Sequence, residues 1–365
     1  MRIAYLLNTL STGGAERQIT ALARSMTARG HAVELIVLKR PAAAEPLMRE
    51  PVIHLGMRRN PASLPLALVR AVRALRAFRP DIIHANNFHG NILARVLRFG
   101  VPHVRVISTI HNVYEGGTWR SLALQLSDPL SGHSAAVCHA AAEEAIRRRI
   151  VPRTKCSVIA NGIDCREFAP QAVCLAGEKR AAPATEFVWL AVGRLAPAKD
   201  YPNLLRAFAQ VHRAAPHARL WIAGEGKPQY SQYLRHLAGT PDRSLVRWLG
   251  LRHDIPSLLH RADAFVLSSA WEGMPLALGE AMAMEKPFVA TDVGGVRELA
   301  GDCGRIVPAR DSEALAASML EWMGEPAELR QAKGRAARRR ILAQFTIEES
   351  AARWEMLYQR LLPHC

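Results

Sequence analysis

Acidic residues are in short supply in this chain: 32 Asp and Glu face 48 Lys and Arg across 365 residues, a formal net charge of +16. No run of 18 apolar residues occurs, which argues against a membrane-spanning helix. The six cysteines, Cys138, Cys156, Cys165, Cys174, Cys303 and Cys365, are dispersed. With no C-x-x-C among them, neither a zinc site nor a redox pair is suggested, and a reduced, cytoplasmic protein is the simplest reading. The first turn carries no G-x-G-x-x-G, and the second candidate strand ends in Leu38-Lys39-Arg40 without an acidic residue for an adenine ribose. Both absences speak against a nicotinamide dehydrogenase, and no Walker A loop is present either. No zinc-finger spacing, RNA-binding aromatic motif or helix-turn-helix signal accompanies the positive charge, so nucleic acid is not an expected partner. Residues Met1–Asn8 are too short for a signal peptide and lead into a Gly-rich turn; they read as a first buried strand.

Apolar residues make up 49% of the chain, enough for two separate cores. Short apolar runs alternate with amphipathic helical segments throughout. In the first half the expected strands are 2–7, 32–38, 82–84, 105–110, 135–138 and 156–159, with helices such as 15–29 and 64–78 between them. In the second half, strands at 187–192, 219–223, 246–249, 264–268 and 288–291 alternate with helices at 203–215, 229–238, 256–261 and 276–284. Such alternation specifies α/β architecture with two doubly wound parallel sheets. The expected division is a first domain over 1–167, a linker rich in Ala and Pro over 168–185, a second domain over 186–345, and a final segment over 346–365. Residues 326–362 read as wholly helical, with a basic patch at 335–340. Open parallel sheets bind ligands at the carboxyl ends of their strands, and two of them facing one another would leave a central cleft.

The charge is unevenly placed. Residues 1–165 carry a net +12 and residues 166–365 a net +4. A solvated surface is one reading. The other is attraction to anionic lipid headgroups, worth about 1 kcal/mol per basic residue near the surface. Leu64, Leu68, Val72, Leu75 and Phe78 recur at helical spacing with Arg70, Arg73, Arg76 and Arg79 between them, consistent with a helix lying at a membrane interface or with any surface helix of a basic protein.

The most informative stretch is Glu272-Gly-Met-Pro-Leu-Ala-Leu-Gly-Glu280, directly after the apolar run 264–269. Pro275 suits a first helical position, and the free N–H groups of a helix start favour an anion such as phosphate. Carboxylates would repel a phosphate. Two of them beside such a site are better explained by hydroxyl groups that need strong acceptors, which points to a nucleotide-sugar.

This segment, together with Thr291–Glu298, resembles the donor-binding region of glycosyltransferase family 4, a GT-B fold. The resemblance implies that Glu272 contacts donor sugar hydroxyls and Glu280 the ribose, with Gly273, Met274, Pro275 and Leu276 beside the diphosphate. It also implies that a C-terminal helix, 347–362, crosses back to the first domain through Trp354, Leu357, Tyr358 and Leu361. Three further motifs match at expected strand ends. In Asn8–Arg17 the pair Gly13-Gly14 lets backbone approach a ligand, and the family places this loop, with Glu16 and Arg17, against donor phosphates and acceptor. In Ser108–Asn112 the family implies that His111 reaches the donor sugar, with Asn112 and Tyr114 on the acceptor side. In Val192–Asp200, Arg194 and Lys199 form the cation pair that a diphosphate needs, each charge-assisted hydrogen bond being worth roughly 1.5–3 kcal/mol where little water competes. Lys199 is also placed to stabilise the leaving nucleoside diphosphate. Glu225 and Leu251 are expected near the base. Asn161–Asp164 fits a turn at the domain boundary.

No D-x-D occurs, so a metal-clamped diphosphate is not indicated and no cofactor is expected beyond the nucleoside-diphosphate sugar substrate. The resemblance implies a retaining glycosyltransferase of polysaccharide biosynthesis. It would move a hexose-type sugar onto a glycan or lipid-linked acceptor, as a cytoplasmic or peripheral membrane protein. A nucleotide-sugar-binding protein without transferase activity and a nucleotide-sugar 2-epimerase are the alternatives.

Overall fold

The computed structural model describes residues 1–10, 13–40, 50–58, 61–114, 116–170, 186–239 and 245–362. The chain divides into two compact units, Met1–Gly162 with Ile347–Cys365, and Ile163–Thr346. Of the expected linker, 171–185 lies outside the described residues.

The first unit is built on seven parallel strands: β1 (Arg2–Leu7), β2 (Ala32–Lys39), β3 (Val52–Met57), β4 (Ile82–Asn86), β5 (Arg105–Ile110), β6 (His133–Ala136) and β7 (Cys156–Val158). Their order is β3-β2-β1-β4-β5-β6-β7. Helices α1 (Gly14–Ala28), α2 (Leu64–Phe78), α3 (Asn87–Leu97), α4 (Thr118–Ser127) and α5 (His139–Arg147) connect them. Successive side chains of a strand point to opposite faces, and β1 shows the result. Ile3, Tyr5 and Leu7 pack with Ile19, Leu22 and Met26 of α1 and with Trp354, Leu357 and Tyr358 of the C-terminal helix. Ala4 and Leu6 pack with Ala67, Ala71 and Leu75 of α2 and Leu93, Ala94 and Leu97 of α3. Both faces are covered, so these strands are continuous apolar runs rather than alternating ones.

The apolar stripe of α2, which fitted a membrane interface or any surface helix of a basic protein, is an inner face. Leu75 is buried, and Leu68, Val72 and Phe78 pack onto the α2–α3 core; only Leu64 of the five is exposed. Period alone cannot tell a lipid-facing stripe from a core-facing one.

The C-terminal helix, Ile347–Leu361, lies in the first unit against α1, where Arg29 and His31 both reach Glu355. It also completes a buried polar knot. The Tyr358 hydroxyl is 2.6 Å from His84 Nδ1, Thr109 Oγ1 is 2.5 Å from His84 Nε2, and the His84 ring lies 4.3 Å from the Trp354 ring. The unbroken helix expected over 326–362 is in fact two. The preceding helix ends at Gln344, Phe345 leaves helical geometry, and its carbonyl accepts from Ile163 N at 2.8 Å.

The second unit holds β8 (Phe187–Val192), β9 (Ala218–Ala223), β10 (Val246–Gly250), β11 (Ala264–Leu267), β12 (Phe288–Thr291) and β13 (Arg305–Val307), all parallel, ordered β10-β9-β8-β11-β12-β13. Its helices are α6 (Tyr201–Ala214), α7 (Pro228–Ala238), α8 (Ile255–Arg261), α9 (Leu276–Ala283), α10 (Val296–Ala300), α11 (Ser312–Gly324) and α12 (Ala327–Gln344). Part of the basic patch at 335–340 is structural. Arg338 donates to the carbonyls of Phe168 and Ala283, and Arg340 to those of Glu298 and Leu299, tying α12 to its neighbours.

Candidate active site

In the second unit the strand order reverses between β8 and β11, the switch point where doubly wound sheets leave room for a ligand. These two strands are paired in parallel, so their carboxyl-terminal loops are neighbours. The loop after β8 carries Gly193, Arg194 and a short 3-10 turn, Pro197–Lys199. The loop after β11 carries Ser268 to Pro275. They meet at one ion pair: Lys199 Nζ donates to Glu272 Oε1. The Glu272 carboxylate is largely buried and also accepts from Ser269 Oγ at 2.6 Å. Backbone contacts fix the approach, with Ser268 Oγ donating to the Lys199 carbonyl at 2.8 Å and Ala270 N to the Ala198 carbonyl at 2.8 Å.

Close backbone packing requires glycine at two positions here. A Cβ on Gly224, at φ 150°, would lie 2.0 Å from the Gly193 carbonyl oxygen. One on Gly294, at φ 54°, would lie 2.2 Å from the Glu272 carbonyl oxygen, and Gly295 N donates to the Gly273 carbonyl at 2.6 Å. The Asp292–Gly295 turn therefore braces the Glu272 loop from behind. Tyr201, at the start of α6, donates its hydroxyl to the Gly193 carbonyl at 2.8 Å; burial, with the nearby Glu272 charge, pushes its phenol well above the usual range.

Pro275 is the cap preceding α9 and not its first helical residue, and no side chain caps this helix start. Its first N–H groups therefore have no partner from a capping side chain. Gly273, Met274 and Pro275 are buried, Leu276 is half-buried, and Glu280 is buried one turn further along the helix. Arg194 is exposed at the β8 end, Glu225 is exposed after β9, and Leu251 is 38% exposed after β10.

In the first unit the order reverses between β1 and β4. Gly13 caps α1 with extended backbone, φ −65° and ψ 151°, and Gly14 is the first helical residue. Neither uses the left-handed conformation open to glycine, so what the pair offers is a bare helix start. Glu16 accepts from Thr9 Oγ1 at 3.5 Å, and Arg17 is half-buried on the same turn. His111 follows β5. Its Nε2 lies 2.8 Å from Asn86 Oδ1, at the end of the adjacent β4. Burial lowers the His111 pKa to about 4. The ring is therefore neutral at pH 7: Nε2–H donates to Asn86, which leaves Nδ1 as an acceptor. Asn112 Oδ1 accepts from Tyr114 N at 3.4 Å, and Tyr114 is exposed with the Arg148 guanidinium 6.0 Å from its ring.

Asn112 also lines a small cavity between β5, α3, α4 and α5, with room for a water rather than a sugar. Its wall includes the buried Arg95, held by Ser108, Ser127 and the Leu124 carbonyl and lowered by burial to about 10. It also includes Asn91 Oδ1 and Ser121 Oγ, which are buried without a hydrogen-bond partner.

Residues 12–167 match the family model "Glycosyltransferase Family 4", and residues 186–325 match "Glycosyl transferases group 1". A glycogen synthase of Mycobacterium tuberculosis is 30% identical over 393 residues, covering 95% of this chain and 91% of that protein. The chain belongs to glycosyltransferase family 4. An Escherichia coli UDP-Gal:alpha-D-GlcNAc-diphosphoundecaprenol alpha-1,3-galactosyltransferase is 29% identical over 63% of this chain and 62% of its own length. Among solved structures, Anabaena HepE in complex with UDP and glucose superposes with a TM-score of 0.82 at 20% identity, covering 98% and 99% of the two chains. Sucrose-phosphate synthase from Thermosynechococcus elongatus superposes with 0.83 at 21%, covering 99% of each. The fold is thus GT-B, as the sequence motifs implied, and the protein is a glycosyltransferase.

Against the family pattern, the structure brings Lys199 and Glu272 into contact and sets the α9 helix start directly behind them in the chain. Three supporting residues escaped the sequence reading: Ser269, Tyr201 and Asn86. Ser269 lay just past one expected strand and Asn86 just past another, yet nothing in their spacing marks a partner that arrives from a neighbouring strand.

Proposed function

We propose that this family 4 glycosyltransferase moves a hexose-type sugar from a nucleoside-diphosphate sugar to a glycan or lipid-linked acceptor at the cytoplasmic membrane face. The transfer retains anomeric configuration and needs no metal. The observation that carries the reading is the Lys199–Glu272 contact at the sheet switch point, beside a helix start with no side-chain cap. Lys199, Arg194 and the first N–H groups of α9 together supply the positive potential that a diphosphate requires. Glu272, already oriented by Ser269, offers acceptors to sugar hydroxyls, and Glu280 serves the ribose. Glu225 and Leu251 flank the base.

On arrival of the donor, phosphate oxygens take over Lys199, and the bond from the anomeric carbon to the phosphate oxygen breaks. The acceptor oxygen bonds to the same face of that carbon, its proton passing to the departing phosphate. Lys199 stabilises charge that grows on that phosphate, a role that carries about 3 kcal/mol when a single preorganised donor is removed. Neutral His111 presents Nδ1 to a sugar hydroxyl. On the acceptor side, Asn112 and the exposed Tyr114 follow His111 beyond the end of β5 and offer polar groups to sugar hydroxyls. The names of two relatives favour this acceptor range: a glycogen synthase, and a galactosyltransferase named for a diphosphoundecaprenol-linked sugar.

The test is a thermal-shift panel of UDP-, GDP- and ADP-sugars, followed by NMR of the product formed with the best donor. One stabilising donor and a product of unchanged anomeric configuration are expected. An inverted product would refute the same-face step, and an isomerised donor formed without acceptor would identify a 2-epimerase instead.

A further inference from the structure

The carboxyl edge of the first sheet carries a group of side chains that the donor site does not use. Helix α3 follows β4 and helix α4 follows β5, and these strands are paired in parallel, so both helix starts lie at the edge that also carries His111. They meet through Phe88, the second residue of α3, and Trp119, the second residue of α4. The two rings stand edge to face, 5.1 Å between centroids and 84° between planes. Phe88 is buried, whereas Trp119 is 61% exposed. The Arg120 guanidinium lies 5.1 Å from the Phe88 centroid and 5.4 Å from that of Trp119. Gly116, at φ 113°, leaves the space that Arg120 takes: a Cβ there would lie 2.6 Å from Arg120 Cδ. Asn87, directly before Phe88, is held in the left-handed region at φ 61°. Such strained backbone clusters where ligands are clamped.

Cations gather at the same place. The His89 ring lies 5.2 Å from that of Phe88. Burial lowers the His89 pKa, and the charges of Arg120 and Lys39 add to the effect, so both cations act on this spot. Lys39 is the last residue of β2 and therefore sits on the same edge of the sheet.

A Trp fixed by a buried Phe and flanked by Arg120 presents a rigid apolar plate to water. A pyranose ring matches it, with C–H groups across one face and hydroxyls round the rim. The plate's support, Phe88, stands two residues after Asn86, the partner of His111. The cations ask in addition for negative charge on the same ligand, and phosphate gives them the stronger, charge-assisted hydrogen bonds. A neutral sugar would leave Lys39 unused, and a bare phosphate would leave Trp119 uncovered. The donor is held by the β8–β11 loops of the second unit, so this edge is left for the acceptor.

We propose that Phe88, Trp119, Arg120, His89 and Lys39 form the acceptor subsite, and that the acceptor is a phosphorylated sugar. Its ring stacks on Trp119 and its phosphate turns to Lys39, His89 and Arg120. This deepens the transferase reading and rests on it, narrowing the acceptor to glycosyl phosphates. A free sugar phosphate and a lipid-linked sugar diphosphate share this chemistry.

The experiment follows the indole N–H signal of Trp119 by NMR on the full chain, assigned with Trp119→Phe, in the absence of donor. The probes are the 1-phosphates of glucose, galactose, mannose and N-acetylglucosamine, their methyl glycosides, and the matching farnesyl-diphosphate-linked sugars. At least one phosphate should shift the signal, its methyl glycoside binding about tenfold or more weakly, as loss of a charge-assisted contact requires. Tighter binding of the farnesyl form marks a lipid-linked acceptor, and equal binding a free one. Lys39→Ala should weaken the phosphate by about tenfold and leave the methyl glycoside unchanged. Trp119→Ala should abolish saturation transfer to the sugar ring, and Trp119→Tyr should restore it. Lys199→Ala should leave the Trp119 shift intact, which separates this subsite from the donor site. No shift with any probe, or glycosides that bind as well as phosphates, would overturn the proposal. If that happens while donor turnover persists, the acceptor subsite falls and the transferase reading stands; a Trp119 shift without donor turnover would leave the subsite and remove the transferase reading.

Discussion

Acidification should loosen the first unit before the second. The histidines whose pKa values are lowered, His84, His89, His111 and His133, all lie in the first unit, and burial is the leading cause at each. For His133 the charges of Arg360 and Lys155 add to it. His111 and His133 both fall to about 4, from an ordinary value of 6.5. The sign follows from linkage. Above pH 6.5 the imidazoles are neutral in both folded and unfolded chains, and nothing is lost. Below 6.5 the unfolded chain takes up protons first, so stability falls until the folded sites also titrate near pH 4. At pH 5 each of these two histidines costs about 2 kcal/mol, and together about 4 kcal/mol, relative to pH 7. That is a large part of the 5–15 kcal/mol typical of a folded domain. Carboxylates held low by arginine, such as Glu144 near 2, weaken the fold only at lower pH. Hydrogen-exchange mass spectrometry at pH 7 and 5, corrected for intrinsic rates, measures the difference. Strand peptides of the first unit should lose protection by two to three orders of magnitude more than those of the second. Equal losses in both units, or NMR titration of His111 and His133 near 6.5, would refute the reasoning.

Asn86→Leu should leave the His111 ring without its orienting partner, lowering kcat about tenfold or more with a smaller change in KM for the donor; unchanged kcat would show that Asn86 does not position the ring. Gly294→Ala places a methyl against the Glu272 carbonyl at a positive φ, so it should lower the melting temperature by several degrees and reduce turnover together. A fully stable, fully active variant would contradict the bracing role of that turn. Turnover should survive EDTA undiminished, because Lys199, Arg194 and the α9 start supply the positive charge. A loss restored by Mg²⁺ or Mn²⁺ would require a metal.

The second unit was the more legible. Strands β8, β11 and β12 are short, buried apolar runs, and its site motifs sit where β8 and β11 stop, as with Val192-Gly193 and Leu267–Ser269; β13, Arg305–Val307, is half-buried and went unread. The first unit hid more. Strand β3, Val52–Met57, carries His54 and a left-handed Gly56, which mask its period. Helix α3 opens on Asn87 at positive φ and contains Gly90, set within 3.3 Å of the Leu6 carbonyl oxygen had it a Cβ; both residues read as turn signals. Glu272 and Lys199, 73 residues apart in sequence, were visible as motif residues, yet their contact arises from the pairing of β8 with β11. The same holds for Asn86 and His111, which β4–β5 pairing brings together. Strand order is a tertiary property, and local pattern does not encode it.

Donor turnover by Lys199→Ala and Glu272→Ala tests the central claim most directly. Release of nucleoside diphosphate from the preferred donor should fall about a hundredfold or more in each, with circular dichroism unchanged. Wild-type rates in both folded variants would contradict the assignment of the β8–β11 loops as the donor site.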